Sequence, residues 1–538
     1  MRSKSFKRRL FVSAFTVFII TCISTVSFAA TYYISPLGND LSGNGSTTSP
    51  WKSLSYACSK VTTAGNTIYI NSGSYTDNNR CNLAVGVNIQ GAGKSSVTIT
   101  SAFNGAYIYR DTPSANPVPH GNNDIGGFTL DGSNKTLKAG IWIKGTDYIT
   151  IHDIKFRHIK TSAIRLVGWD NWPDYATATV TPPPAYGYNN VIRDVEIDDC
   201  TSQTTESSDD RLGAIDLLAL ANCQVYNVTI NENYPNHGTG IKNALGWLKG
   251  FKLYNSTITT DHGNPDSFVI ETYNFLGDAE IYNCNFNHFI SLNGGVKTLV
   301  SGSSWNLKIH DNTFNMTGLG GSGHEFSHNW LNVYNNYFYG ASGPAVGLWT
   351  TNYLTSTGVT HWRFNNNVIY NCADGIFIPR GANSYVEIYN NVFDTMTARP
   401  WGGSGIDTAG FTGTLSGAKI QNNLIMNAAA APITIGSNLS NTLVDHNWFY
   451  NNGNSNNVSN SSSSTTQTNN VKGVKPDISY SGNRPDPYYR PSSSTSNLEN
   501  AGVSVGLPYS GVAPQIGAYQ YSKTVVSLIA PSNLRIIN

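Results

Sequence analysis

One six-residue pattern recurs eleven times between residues 151 and 449: apolar, any, Asn or Asp, any, any, apolar, with His446 in the third position of the final copy. The copies read IHDIKF (151–156), IRDVEI (192–197), VYNVTI (225–230), LYNSTI (253–258), IYNCNF (281–286), IHDNTF (309–314), VYNNYF (333–338), FNNNVI (364–369), IYNNVF (388–393), IQNNLI (420–425) and VDHNWF (444–449). Successive copies lie mostly 24 to 33 residues apart, and the one 41-residue step contains a Pro-rich loop, 171–190. A unit this short cannot bury its own apolar face, so neighbouring units must stack. Its β-branched and aromatic residues specify short strands separated by turns. A leucine-rich repeat would need a Leu lattice that is absent, and a propeller would need a period of about 40 or more. The chain therefore reads as an all-β solenoid, a parallel β-helix of about 12–13 coils.

The position after the first Asn or Asp becomes Asn312, Asn336, Asn367, Asn391, Asn423 and Asn447 in six consecutive copies. Stacked coils lie about 4.8 Å apart, which lets these amides form a ladder along the axis.

The mature start, YYISPLGNDLSGNGSTTSPWKSLSYAC (32–58), resembles the N-terminal segment of secreted right-handed parallel β-helix proteins of the pectate-lyase-like superfamily. VGVNIQGAG (85–93) and IGGFTLDG (125–132) resemble early coils of that superfamily, and APQIGAYQY (513–521) resembles its closing segment. The resemblance implies a right-handed coil, an N-terminal cap helix and action on carbohydrate. It leaves the reaction open among lyases, hydrolases, epimerases and non-enzymatic adhesins.

Residues 1–30 have the layout of an export signal: a basic start (Arg2, Lys4, Lys7, Arg8, Arg9), an apolar run from Leu10 to Phe28, and small residues at Ser27 and Ala29. The expected compartment is extracellular or periplasmic. Beyond it we read a cap and first coils (31–122), the main helix (123–450), a polar low-complexity loop (451–470), a C-terminal capping segment (471–526) and a tail or linker (527–538). Six cysteines remain after cleavage, an even number in an oxidising compartment. Cys58 and Cys81 are the expected disulfide, Cys200 and Cys223 a weaker pair, and Cys284 and Cys372 buried thiols.

Lys+Arg 34 against Asp+Glu 33 gives a formal net charge of +1, and charged residues make up only 12% of the chain. That balance leaves no electrostatic footprint for nucleic acid or an anionic membrane. No segment beyond the signal approaches the roughly 20 apolar residues that span a bilayer. We expect a monomer whose partner is a polysaccharide.

Against this low background, a second strand per coil can be aligned by an apolar pair followed by a variable residue: AIRLV (163–167), AIDLL (214–218), GIKNA (240–244), VIETY (269–273), FISLN (289–293), GIFIP (375–379) and PITIG (432–436). The variable residue is Arg165, Asp216, Lys242 and Glu271 in four neighbouring coils, then Ser291, Phe377 and Thr434. These form an expected outer column, which Asp209, Asp210, Arg211, His237, His262 and Asp266 join from the preceding loops. HEFSH (324–328) and PRG (379–381, with Arg380) extend it, and Trp169, Trp172, Trp247, Tyr273, Trp349 and Trp401 offer flat faces for sugar rings. His152, His158, His310 and His446 read as satisfied coil residues.

Two chemistries and one bland alternative fit the column. Carboxylates two coils apart are about 9.6 Å apart at the backbone, at the edge of the roughly 6.5–9.5 Å window of an inverting glycosidase; Asp216 and Glu271 would be its pair. β-Elimination instead needs a base beside a uronate carboxylate and a positive charge to neutralise that carboxylate. In β-helix lyases of the superfamily, a Lys or Arg serves as base and Ca2+ neutralises, and the resemblance casts Lys242 as base with Asp209, Asp210 and Asp266 as Ca2+ ligands. Flanking carboxylates raise a lysine's pKa, which opposes that role unless the cation offsets them. Alternatively, the alternating signs form a surface ion-pair ladder on a non-catalytic glycan-binding protein. A uronate-cleaving lyase is the leading expectation.

Overall fold

The computed structural model describes residues 29–521 apart from 170–182, 201–212, 233–240, 244–246, 261–267, 273–277, 293–306, 322, 327–329, 349–359, 379–383, 398–401, 410–414, 438, 455–456, 461 and 463. The export-signal reading and the tail therefore lie outside the described residues.

The third residue of every repeat copy adopts a left-handed backbone, with φ between 48° and 58° from Asp153 through Asn227, Asp311 and Asn390 to His446. Asn and Asp tolerate this conformation better than other side chains with a Cβ. Each such residue turns the chain sharply between two short strands, as at Asp311 between Leu307–His310 and Thr313–Asn315. The strands before and after the turn stack in parallel on those of neighbouring coils, producing two rows that share one 31-stranded sheet. The long strands His120–Asp131 and Asp147–Arg157 run through the corner and join the rows. A third strand in each coil belongs to a separate parallel sheet of fourteen strands. These three strips wind a right-handed parallel β-helix, as the resemblance implied. Fourteen strands exceed the 12–13 coils read from the repeat, because the earliest coils lack the hexapeptide.

Apolar residues at the first and sixth repeat positions fill one core that runs along the axis, from Ile34 and Ile68 through Ile309 and Phe314 to Val444 and Phe449. The fourth positions build the amide ladder. Asn312 Nδ2 donates to Asn336 Oδ1 at 3.0 Å, and the same bond continues through Asn367, Asn391, Asn423 and Asn447 to Asn470. In earlier coils Ser256 fills the ladder site, its Oγ accepting from the Val228 N–H at 3.1 Å.

A helix, Leu54–Lys60, covers the N-terminal end, with the Ser53 side chain accepting the Tyr56 N–H as its cap. Its buried Cys58 is disulfide-bonded to Cys81, in the first strand of the fourteen-stranded sheet. Cys200 and Cys223 are both buried free thiols, which corrects the weaker pairing. Cys200 follows a strand of the second row and Cys223 precedes one of the first, so they occupy different corners of their coils. Cys284 and Cys372 are buried and free, as expected. At the other end, residues 471–521 lie back over the second row, where Ile478, Tyr489, Leu498 and Ile516 pack on Val392, Leu424, Met426 and Trp448. No helix among the described residues is long and apolar enough to cross a membrane.

Candidate functional site

The fourteen-stranded sheet carries the expected column. Strand register places Arg165 beside Asp216, Asp216 beside Lys242, Lys242 beside Glu271, and Glu271 beside Ser291. The same line continues through Glu325, Gly347, Phe377, Asp407 and Thr434. Glu325 and Asp407 were not among the aligned strands. Before Glu325 the inward position is His324 instead of an apolar residue, whereas Gly405-Ile406 before Asp407 matches the Gly-Ile that precedes Lys242 and Phe377, so this strand carried the signal.

Arg165 Nε lies 3.0 Å from Asp216 Oδ2, and its guanidinium sits 4.5 Å from the Trp142 ring centroid. The Asp216 side chain is fully buried. Opposite charges thus meet at a side chain removed from water, where each offsets part of the other's desolvation. The first two members of the column therefore do form an ion pair. Glu271 is half-buried, and Ser291 Oγ donates to Glu325 Oε2 at 2.9 Å.

Of HEFSH, only Glu325 faces outward among the described residues. His324 is buried in the core against Phe314 and Phe338, with Nδ1 accepting the Ile290 N–H at 2.9 Å. Burial and the neighbouring His288 hold its pKa well below the ordinary histidine range, so it is neutral. The four histidines read as coil residues all meet carboxylates: His152 with Asp124 at 2.7 Å, His158 with Asp131 at 3.4 Å, His310 with Asp311 at 2.7 Å and His446 with Asp445 at 2.9 Å.

A pair of carboxylates that the sequence reading missed lies farther along the same face. Asp374 is buried and accepts the Gly402 and Ser404 N–H groups at 3.2 and 2.7 Å. Burial pushes its pKa up to about 6, helped by the charge of Asp407. Asp407 is itself raised by burial. Both flank Gly402: a Cβ there would sit 3.2 Å from Asp407 Oδ2 and 3.9 Å from Asp374 Oδ1. Glycine at this position leaves the space between the carboxylates open.

Trp247 needs correction as a sugar platform. Its side chain is fully buried, and its carbonyl accepts the Leu220 N–H at 3.2 Å beside a small three-stranded sheet, so no face of the ring is offered to a ligand. Trp169 is half-buried. Asp209, Asp210, Arg211, His237, His262, Asp266, Tyr273, Trp349, Arg380, Trp172, Trp401 and the side chain of Lys242 lie outside the described residues. Among the described residues, no group of three or more His, Cys, Asp or Glu side chains gathers closely enough to hold a metal ion.

No protein-family profile matches the chain, and no curated protein matches its sequence. Solved structures do match. The A-module of the Azotobacter vinelandii mannuronan C-5 epimerase AlgE6 is 12% identical over 78% of this chain and 93% of its own, with a TM-score of 0.35. The tailspike protein of E. coli bacteriophage HK620 in complex with pentasaccharide is 13% identical over 78% and 73%, with a TM-score of 0.41. XylC in complex with xylose is 11% identical over 81% and 86%, with a TM-score of 0.35.

Proposed function

We propose that this chain is an exported, monomeric, carbohydrate-active enzyme that lays a uronate-containing polysaccharide along the fourteen-stranded sheet and cleaves it by β-elimination. The carrying observation is the register that sets Arg165, Asp216, Lys242 and Glu271 side by side in consecutive coils. The Cys58–Cys81 disulfide fits an oxidising compartment.

Lys242 is the proposed base. It removes the proton on the carbon beside the uronate carboxylate, and the electron pair forms a carbon–carbon double bond as the glycosidic oxygen leaves. The Arg165–Asp216 pair bears on the objection that flanking carboxylates make a lysine too basic. Asp216 already meets Arg165, and Glu271 is the other carboxylate of the column beside Lys242. The donor set Asp209, Asp210 and Asp266 consists of hard carboxylate oxygens that suit Ca2+. When bound, that ion would supply positive charge to the substrate carboxylate and favour the neutral amine.

A polysaccharide panel incubated with the chain, with and without a calcium chelator, tests this reading. The expected products absorb in the ultraviolet, the chelator abolishes them, and Lys242→Met lowers their rate by about 10²-fold or more. New reducing ends without unsaturation would instead establish hydrolysis. The Asp374–Asp407 pair favours that second reading, because a carboxyl with its pKa near 6 beside a second carboxyl is the pairing that glycoside hydrolysis uses. Asp407→Asn would then abolish turnover while Lys242→Met would not.

A further inference from the structure

The catalytic column does not begin at Arg165. Register carries it back through Trp142 and Tyr109 to Asn82, on the first coils of the same face. In this stretch cations alternate with aromatic rings. The Arg80 guanidinium lies 4.4 Å from the Tyr109 ring centroid and 5.4 Å from that of Phe103. Tyr109 meets Trp142 edge-on at 5.9 Å, and Trp142 is approached by Lys144 at 5.1 Å and Arg165 at 4.5 Å. Lys138 and Lys160 stand at the start of the two neighbouring strands, where the Lys160 N–H donates to the Leu137 carbonyl at 2.8 Å.

Three cations, Arg80, Lys144 and Arg165, meet these rings, and two carboxylates stand among them: Asp111, which accepts the Tyr109 hydroxyl at 2.8 Å and lies beside Lys144 in register, and the buried Asp216 against Arg165. Arg80 is exposed, and its contacts among the described residues are with the Phe103 and Tyr109 rings. An arginine stacked on a ring has its plane fixed while the edge of its guanidinium, with its fork of N–H donors, still faces outward. That edge matches a carboxylate in bidentate fashion and loses little freedom on binding it. The half-buried Tyr109 and Trp142 rings supply apolar surface between the cations.

We propose that Arg80, Tyr109, Trp142, Lys144 and Arg165 form a binding subsite for uronate residues of the polysaccharide, lying on the N-terminal side of Lys242. The proposal rests on the reading of this face as the substrate path. Trp142 and Lys242 are three coil steps apart, roughly 14 Å, so the subsite holds sugars remote from the bond that breaks. It selects for an acidic polymer by binding, without taking part in the chemistry.

Binding is measured by affinity electrophoresis and titration calorimetry on the full chain carrying Lys242→Met, with polygalacturonate, alginate, a neutral galactan and dextran sulfate as probes. The expected result is binding of at least one uronate polymer that weakens with salt, weakens about tenfold in Arg80→Ala and less in Arg80→Lys, and exceeds binding of the galactan. Trp142→Phe should weaken it too, with the thermal transition unchanged. Three results would overturn the subsite: uronate binding indifferent to Arg80, galactan bound equally well, or dextran sulfate bound more tightly than either uronate polymer. Arg80-dependent uronate binding by a chain that yields no unsaturated product supports the subsite and refutes the lyase reading alone.

Discussion

Removing one amide from the middle of the ladder should cost far more than its size suggests. Asn391 is fully buried, and its side chain makes four hydrogen bonds. Its Nδ2 donates to Asn423 Oδ1 and to the Phe364 carbonyl, both at 3.0 Å. Its Oδ1 accepts the Asn367 backbone N–H at 2.9 Å and Asn367 Nδ2 at 3.0 Å. In Asn391→Ala, Asn423 Oδ1 keeps the Asn391 backbone N–H and Asn367 Nδ2 keeps the Val333 carbonyl. The Asn367 N–H loses its acceptor and the Phe364 carbonyl its side-chain donor. At about 1–3 kcal/mol for each buried group left unsatisfied, the expected loss is about 2–6 kcal/mol.

Because a solenoid's stability is a sum over neighbouring coils, the loss should concentrate around coils 364–423. Hydrogen exchange reports it locally: the Asn367 amide should lose protection by at least about 30-fold, while amides near Ile89 and Ile125 should keep theirs. Asn391→Asp separates donor from acceptor loss. It keeps the oxygen that serves Asn367 but turns a carboxylate toward the Phe364 carbonyl, so its defect should shrink at low pH, where the carboxyl is protonated and donates. The exposed Gln467→Ala is the control. If Asn391→Ala falls within about 0.5 kcal/mol of it, the ladder is not a structural element and the reasoning fails.

Three further outcomes can be checked on the same material. Asp374 has its folded pKa raised from 3.8 to about 6, so between those values the native state binds the extra proton and stability falls as pH rises. The span corresponds to at most about 3 kcal/mol, and guanidinium midpoints from pH 4 to 7 should show this slope flattened in Asp374→Asn; an unchanged slope would refute the assignment. Replacing Cys58 and Cys81 by serine opens a 23-residue separation and should destabilise the N-terminal coils by about 3 kcal/mol, read as faster proteolysis of the region before residue 122. Tyr489→Phe removes the hydroxyl that donates to the buried Asp394 Oδ2 at 2.7 Å, so the C-terminal segment should loosen by about 1–3 kcal/mol, visible as increased exchange at Ile478 and Leu498 with little change at Asn312.

The architecture was legible because the repeat encodes two separate requirements at adjacent positions. The third residue needs a left-handed backbone and the fourth an inward amide, and both narrow the choice of residue enough to leave a visible pattern. The charged column was legible for a related reason: an outward residue following an inward apolar pair can be aligned between coils by eye. The reading failed where the inward residue was not apolar, as at His324 before Glu325. It failed again where pairing depends on three dimensions. Cys200 and Cys223 are close in sequence but sit at different corners. Trp247, in a Gly-flanked stretch, takes a left-handed backbone with φ +72 and places its ring inside. Asp374 left no periodic signal, because its partners are loop amides at Gly402 and Ser404.

Two charged columns run along this solenoid, and they differ in what surrounds them. On the first row, register aligns Lys252, Glu280 and Lys308, and later Arg363, Glu387 and Lys419. Signs alternate there, with Lys252–Glu280 at 3.5 Å and Arg363–Glu387 at 2.6 Å. Beside it the rings of Tyr226, Tyr254, Tyr282, His310 and Tyr334 stack at 4.5 to 5.2 Å, each covering the next one's face. Such an arrangement satisfies itself and leaves little to offer a ligand. The fourteen-stranded sheet is ordered differently. Signs alternate in its middle through Arg165, Asp216, Lys242 and Glu271; before them Arg80 and Lys144 lie against aromatic rings beside the column, and after them the charged members among the described residues are Glu325 and Asp407. On the proposed reading, a face with cations and aromatic rings at one end and carboxylates at the other gives a chain-like ligand a direction, with Lys242 between Asp216 and Glu271 at the junction.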